Sequence, residues 1–209
     1  MNKTLGAHEV LDLHEILSDC INGLNTMQLY RPYAKDPQLQ SMMNNHMQMM
    51  TMEYNNLVQT AHQLGGSEAM PVRGQKHLTQ GGMQMNQGGM QMNQNFQPMY
   101  GLHQPQTQTP NASYDQVDDA DVAQYMLSCH KHSASMKMKA TLEMAHPVLR
   151  QMMMTGANRA ADMAYECFQY ANQKGYYQIP TLKDQTMNTF LDAYGTATQM
   201  GNQMPQQYM

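Results

Sequence analysis

Apolar residues recur at steps of three and four along two parts of the chain, and this spacing predicts amphipathic helices. In the first part, residues 4–30 form one predicted helix, which ends before Arg31-Pro32 because a residue that precedes proline avoids the helical conformation. A second helix is predicted to start at Asp36-Pro37, an N-cap followed by a first-turn proline, and to end at Gly65-Gly66. The predicted inner positions of this hairpin are Val10, Leu13, Leu17, Cys20, Leu24, Met27, Leu39, Met42, Met43, His46, Met49, Met50, Glu53, Leu57, Ala61 and Leu64.

The second part predicts another helical hairpin. Asp118 and Asp119 can cap free backbone N–H groups at its start. The hinge is predicted at His146–Pro147, because proline cannot continue a helix but suits the first turn of a new one. Gly175 then supplies a left-handed cap. The predicted inner positions are Val122, Met126, Cys129, Ser133, Met136, Ala140, Leu149, Met152, Met153, Ala157, Ala160, Ala164, Cys167, Phe168 and Ala171.

The two hairpins align without a gap when the first is shifted by 110 residues. Pro37 then falls on Pro147 and Gly65 on Gly175, which are positions where backbone geometry dictates the residue type. A single hairpin buries only one face of each helix, so the two hairpins are expected to dock. We therefore predict an all-α fold, a four-helix ferritin-like bundle built from two duplicated helical hairpins.

A long segment, residues 66–116, joins the hairpins. It holds an exact tandem heptapeptide, GGMQMNQ, at 81–87 and 88–94, followed by a Gln-rich tract with prolines. No apolar periodicity survives there, so we predict a disordered linker. The predicted domains are a first hairpin at 1–65, the linker at 66–116, a second hairpin with a short C-terminal helix at 117–195, and a flexible tail at 196–209. The short helix, Asp184–Tyr194, is expected to turn Met187, Phe190 and Leu191 towards the bundle.

The second hairpin also carries a family resemblance. It opens with DVAQYMLS, has a hinge of the form Pro-x-hydrophobic-Arg and closes with Gly-Tyr-Tyr. In order and spacing it resembles the coat F domain of endospore-forming bacteria, over roughly the last half of the chain. The resemblance implies a ferritin-like bundle that forms a protein layer of the spore coat, without assigned catalytic residues. The matching residues are Pro147, Leu149, Arg150, Gly175, Tyr176 and Tyr177, and the first hairpin lacks the Arg and the Tyr pair.

The composition narrows the classes of partner. Only 13% of the residues are charged, and Asn and Gln make up about a fifth of the chain, so its surface repels neighbours weakly. The net charge of -4 argues against nucleic-acid binding. No apolar run reaches the ~20 residues of a membrane span, and acidic residues near the N-terminus argue against a signal peptide. The three cysteines, on apolar stripes, are expected to be buried thiols in a reducing compartment.

A di-iron centre is the first metal site to consider in such a bundle. It needs an inward carboxylate from each of two helices and a Glu-x-x-His motif from each of the other two. The chain offers one such motif, Glu143 to His146, and it lies at the hinge. Asp162 and Glu166 have no matching His in their own helix. The ligand set is incomplete, so a catalytic di-iron centre is not favoured.

Smaller sets of metal-binding side chains remain candidates. A buried carboxylate must be paired or protonated, so Glu53 is expected to pair with His14 across the first hairpin, with His46 on the same inner stripe. A polar contact that fixes register is favoured over a metal site. Cys129 and His132 share a helix face, with His130 pointing elsewhere, but two ligands do not close a zinc site. Four methionines of the linker have histidines on either side: Met83, Met85, Met90 and Met92, flanked by His77 and His103. A low-complexity spacer is the favoured interpretation, and soft copper ligands or a reversible oxidant sink are the alternatives.

These observations lead to one expected function and one alternative. We expect a structural component of the endospore coat, made in the mother-cell cytoplasm, with no catalysis and no cofactor. Other spore coat proteins are the expected partners, and assembly into a homo-oligomer is left open, as is cross-linking of Tyr or of Gln with Lys. The alternative is a metal-handling protein, either a degenerate ferritin-like bundle or a Met/His copper binder.

Overall fold

The computed structural model describes residues 5–65, 95–104, 107 and 109–197. Over these residues the regular structure is helical, which confirms the all-α class. The tandem heptapeptide, His77, the linker methionines and the tail beyond residue 197 lie outside the described residues, and so do the predictions made for them. The helices are α1 (Ala7–Tyr30), α2 (Pro37–Gly65), α3 (Asp119–Glu143), α4 (Pro147–Gln173) and α5 (Asp184–Asp192), with 3₁₀ turns at Arg31–Tyr33 and Tyr114–Gln116.

The helix boundaries follow the predicted capping residues. Asp36 Oδ1 accepts a hydrogen bond from Gln38 N at 2.7 Å, as expected of an N-cap before α2. Asp118 accepts from Ala120 N and Asp121 N at the start of α3. The chain turns after α4 at Gly175, whose φ of 77° is the left-handed conformation that favours glycine.

Helices α1 to α4 bury two apolar clusters. The first spans the α1–α2 turn and the distal half of α4, and the second spans the α3–α4 hinge and the first half of α1. The first contains Met27, Ala34, Leu39, Met42, Met43, Met47, Met50, Val122, Ala123, Met126, Leu127, Ala160, Met163, Ala164, Cys167 and Tyr170. The second contains Leu13, Ile16, Leu17, Cys20, Leu57, Ala61, Ala140, Met144, Leu149 and Met153. Within the described residues, none of these helices is long and apolar enough to cross a bilayer.

The buried face of α3 is wider than predicted. The narrow stripe through Val122, Met126, Ser133 and Ala140 is buried as expected. A second row, one position further along, is buried beside it. Its members are Ala123, Leu127, His130, Lys137 and Thr141. The reason is that α3 contacts α1, α2 and α4, so its buried face exceeds the narrow seam of a two-helix contact.

Two carboxylates join the hairpins at opposite ends of the molecule. Glu9, near the start of α1, accepts hydrogen bonds from His146 N at 2.6 Å and Gly6 N at 2.7 Å. Burial by itself would raise the pKa of Glu9, but these backbone hydrogen bonds outweigh it and leave the pKa lowered. Asp119, at the start of α3, accepts from Lys35 N at 2.6 Å and Asp36 N at 3.2 Å. Asp119 thus caps the α1–α2 turn, whereas Asp118 caps α3 itself.

The predicted disorder of residues 66–116 is wrong for residues 95–104. Phe96 lies edge-on to Phe168, with ring centroids 5.9 Å apart. Met99 N donates to the buried side chain of Asn172 at 2.7 Å, and Asn172 Nδ2 donates to Met99 O and to Tyr177 O. The absence of apolar periodicity did not reveal these contacts, because single anchoring side chains hold the segment in place.

The predicted orientation of the last helix is also wrong. α5 ends at Asp192, and Met187, Phe190 and Leu191 are 43%, 63% and 64% exposed. The apolar faces of α1 to α4 already cover one another, so the core does not bury the apolar face of α5.

Candidate functional site

The interior contains two groups of polar side chains between or beside the apolar clusters. One is an ion pair between α2 and α3, and the other is a cluster of two imidazoles and a thiol shared by α2, α3 and α4. Buried polar groups are costly unless they are paired, so these groups are the candidate site. The buried side chains concerned are His46, Glu53, His130, Lys137 and Cys167.

The ion pair joins Glu53 of α2 to Lys137 of α3. Lys137 Nζ lies 2.5 Å from Glu53 Oε1, and both side chains are less than a tenth exposed. Gly156 of α4 faces the pair: a Cβ there would overlap Glu53 Oε1 and lie 3.2 Å from Lys137 Cδ. The missing side chain of Gly156 therefore provides the space that the ion pair occupies.

The second cluster centres on His46. Its Nδ1 lies 3.0 Å from His130 Nε2 and 4.0 Å from Cys167 Sγ. Its other nitrogen, Nε2, lies 2.9 Å from Glu166 Oε2. The three potential ligand atoms of His46, His130 and Cys167 all lie within 4.8 Å of one another, and all three residues are buried.

The proton count of this cluster follows from its geometry. An ionised carboxylate only accepts, so His46 Nε2 donates to Glu166. Whether His46 is neutral or cationic, one proton then lies between His46 Nδ1 and His130 Nε2. In either state His130 Nδ1 is buried without a hydrogen-bond partner among the described residues. Burial, with the charges of His46 and Lys137 as smaller contributions, holds the pKa of His130 well below its usual value.

The order thiol, imidazole, carboxylate is also that of a nucleophilic triad. Cys167 is completely buried, however, and burial is the main cause that raises the pKa of its thiol. A reactive cysteine needs a stabilised thiolate and access to substrate. The geometry therefore suits a structural contact or a metal ligand set rather than covalent catalysis.

The structure separates most of the predicted site residues. The expected His14–Glu53 pair is wrong, because His14 is exposed and Glu53 pairs with Lys137. His132 is also exposed and lies 3.7 Å from Asp19. Cys129 is only half-buried, so Cys129 and His132 do not form an interior ligand pair. Of the predicted candidates, His46 and Glu53 are the two that lie buried as expected.

Sequence reasoning missed His130, Lys137 and Cys167 as members of the site. It assigned His130 to a different face from Cys129 and His132, but did not recognise that face as part of the core. The signal was present: Ala123, Leu127, His130, Lys137 and Thr141 continue one helical row at steps of three, four and seven. Because histidine and lysine interrupt that row, a search for apolar periodicity does not identify it as a buried face.

Comparison with known proteins places the chain in a family. The coat F domain model matches residues 118–180, which correspond to α3, α4 and the turn after them. The chain is 31% identical over 200 residues to the "Spore coat protein F-like protein YhcQ" of Bacillus subtilis (strain 168), covering 96% of this chain and 83% of that protein. The chain belongs to the spore coat protein F-like family. The predicted resemblance is therefore confirmed.

A solved structure also resembles this spore coat F-like fold. It is that of a conserved hypothetical protein, rv2844, from Mycobacterium tuberculosis, with a TM-score of 0.53 and 11% sequence identity. The match covers 80% of this chain and 99% of that chain. At this identity the likeness concerns the fold alone.

Proposed function

We propose that this protein is a structural component of the bacterial endospore coat, which self-associates or binds other coat proteins and does not catalyse a reaction. The observation that carries the proposal is the 31% identity to a spore coat protein F-like protein across nearly the whole chain. The relationship includes the first hairpin, the linker and the last helix, and so goes beyond the coat F domain at 118–180.

We further propose that α1 to α4 are a ferritin-like four-helix bundle that arose by duplication of a hairpin. The reciprocal carboxylate contacts support this. Glu9 binds the backbone N–H of His146, and Asp119 binds that of Asp36. The 110-residue shift places Glu9 on Asp119 and Asp36 on His146. Two contacts related by the same shift are what two copies docked about an approximate twofold axis would make.

Two surface properties support association with other proteins. The low charge content and the many amides reduce electrostatic repulsion between neighbouring copies. The apolar face of α5, formed by Met187, Phe190 and Leu191, is exposed. These residues lie three and four apart, so they form one continuous apolar strip on that helix.

The cellular proposal is tested with a fluorescent fusion to the full chain in a sporulating host. We expect a shell of fluorescence around the developing spore and recovery of the fusion in the coat extract. The fluorescent protein alone is the control, and its signal should stay diffuse. A fusion that stays diffuse in the mother cell throughout sporulation would contradict the proposal.

Association is tested with the full chain by analytical ultracentrifugation across a concentration series. Replacing Phe190 and Leu191 by Ser should reduce the assembled fraction. The matched control replaces Leu29 and Leu142, which are 72% and 70% exposed on α1 and α3, by Ser. Equal loss in both variants, or no loss in either, would exclude a specific role of α5.

The alternative, a metal-handling protein, is favoured by one observation, the convergence of His46, His130 and Cys167. Because these three side chains are completely buried, they suit an ion that stays bound in the fold better than an ion that is transferred to another protein. The linker methionines proposed as copper ligands lie outside the described residues. Elemental analysis of untagged protein separates the two functions: copper bound by the linker in several equivalents would favour metal handling.

A further inference from the structure

His130 brings one ring nitrogen, Nε2, to the point where His46 and Cys167 also converge. Its side chain is completely buried, and only one of its two ring nitrogens has a hydrogen-bond partner in the described residues. Its partnered nitrogen points at His46 Nδ1, and Cys167 Sγ is close to the same point. Three ligand atoms from three helices thus face one position.

We propose that His46, His130 and Cys167 bind one Zn²⁺ ion, which clips α2, α3 and α4 together in the interior. The ion displaces the proton between the two imidazoles, which moves to His130 Nδ1 when both rings are neutral and leaves to solvent when His46 is cationic. Cys167 gives up its thiol proton to solvent and binds as a thiolate. Three protein ligands leave the fourth coordination position of a tetrahedral ion open.

The observed distances are close to those of such a site. Two imidazole nitrogens bound at about 2.0–2.1 Å with a tetrahedral angle are about 3.3 Å apart, and a nitrogen and a sulfur are about 3.6 Å apart. The corresponding distances are 3.0 Å from His46 Nδ1 to His130 Nε2 and 4.0 Å from His46 Nδ1 to Cys167 Sγ. For these two pairs, binding requires shifts of a few tenths of an ångström; His130 and Cys167, whose ligand atoms lie within 4.8 Å of each other, must also draw together.

Charge and outer contacts favour a divalent ion of borderline softness. The thiolate of Cys167 and the carboxylate of Glu166 supply two negative charges, which balance Zn²⁺ in a buried position. Imidazole and thiolate are the ligands that Zn²⁺ takes most often. Glu166 accepts from the outer nitrogen of His46, the arrangement that orients metal-bound histidines. Glu166 is 19% exposed, so its side chain connects the cluster to the surface.

The proposal is tested by metal retention. The full untagged chain is stripped with a chelator, incubated with Zn²⁺, dialysed and measured by elemental analysis and calorimetry. We expect one tightly bound Zn²⁺ per chain and a rise in melting temperature on its addition. Cys167→Ser should lose both. Two control variants should keep the bound Zn²⁺ and the rise in melting temperature. They are Cys20→Ser, at the other buried cysteine, and His132→Ala, at an exposed histidine.

The outcomes decide the proposal even if Cys167→Ser proves unstable. Glu166→Gln alters an outer contact of His46 and should weaken Zn²⁺ binding by about 10- to 100-fold. Loading the wild type with Co²⁺ should give the thiolate charge-transfer absorption and the intense visible bands of a tetrahedral site. The proposal is overturned if the wild type retains no ion, if Co²⁺ shows no thiolate band, or if Cys167→Ser and Cys20→Ser retain Zn²⁺ equally. Failure here leaves the coat function standing, because that function rests on localisation.

Discussion

The two hairpins are alike at their ends and different in their middles. At the ends, Glu9 of α1 and Asp119 of α3 each accept backbone N–H groups from the turn of the other hairpin. In the middle, His46 of α2 corresponds by the 110-residue shift to Gly156 of α4, and Cys20 of α1 corresponds to His130 of α3. The ends share one means of docking, whereas the imidazole cluster has no counterpart on the other side.

The contacts that dock the two hairpins are therefore distinct from the polar clusters in the interior. The carboxylate contact stabilises both hairpins in the same way, because each hairpin turn has backbone N–H groups that need an acceptor. An interior polar cluster needs space and complementary charge from three helices at once. On one side of the interior Gly156 leaves room for the Glu53–Lys137 ion pair, and the counterpart of Gly156 is His46, at the centre of the imidazole cluster. Substitutions in the middle of the two hairpins should therefore change the free energy of unfolding by different amounts. Substitutions at the two ends should change it by similar amounts.

The largest effect is expected from Lys137→Met. It leaves Glu53 as an unpaired buried carboxylate, and breaking such a pair typically costs about 3–5 kcal/mol in the free energy of unfolding. Chemical denaturation followed by circular dichroism measures it. The double variant Lys137→Met with Glu53→Leu should recover most of the loss. A single variant as stable as the wild type would show that the ion pair contributes nothing.

The next effect concerns Gly156→Ala. The added Cβ overlaps the Glu53 carboxylate and tightens the contact with Lys137, so we expect a loss of about 1–3 kcal/mol, typical of overpacking. The control is Gly195→Ala, because nothing lies within 4 Å of a Cβ at Gly195. In a background with Glu53→Ala and Lys137→Met the cost should nearly vanish. An unchanged cost in that background would place its origin elsewhere.

Smaller, matched effects are expected at the ends. Glu9→Ala and Asp119→Ala each remove a capping acceptor, and each should cost about 0.5–2 kcal/mol in the free energy of unfolding. The two sites lie at opposite ends of the helices, so their losses should add in the double variant. Strong coupling between them would indicate that the hairpins do not dock through two separate contacts.

The smallest effect is a dependence on pH at one end. The pKa of Glu9 is lowered in the folded state, so its carboxylate stabilises the fold above the unfolded value of about 4.5 and loses this contribution as the pH falls below it. Glu9→Gln should flatten the unfolding free energy between about pH 5 and pH 3 relative to the wild type. A parallel pH profile in both proteins would contradict the assigned role.

Much of the fold could be predicted from local rules. Proline, aspartate and glycine at Asp36-Pro37, Pro147 and Gly175 act within one turn of a helix, and the helices begin and end there. Most of the periodic apolar positions of α1 to α4 are buried, since an apolar stripe on a helix is stabilised by packing against other apolar surface. The family resemblance of α3 and α4 rests on these same local features and was confirmed.

The sequence by itself determined the helices, their ends, the alignment of the hairpins and the family. Only the tertiary structure decided which polar side chains meet inside: Glu53 with Lys137 rather than His14, and His46 with His130, Cys167 and Glu166. It also decided that residues 95–104 rest on α4 and that α5 faces outward. Capping and periodicity depend on neighbours a few residues away, whereas these contacts depend on how segments more than 70 residues apart along the chain are placed against one another.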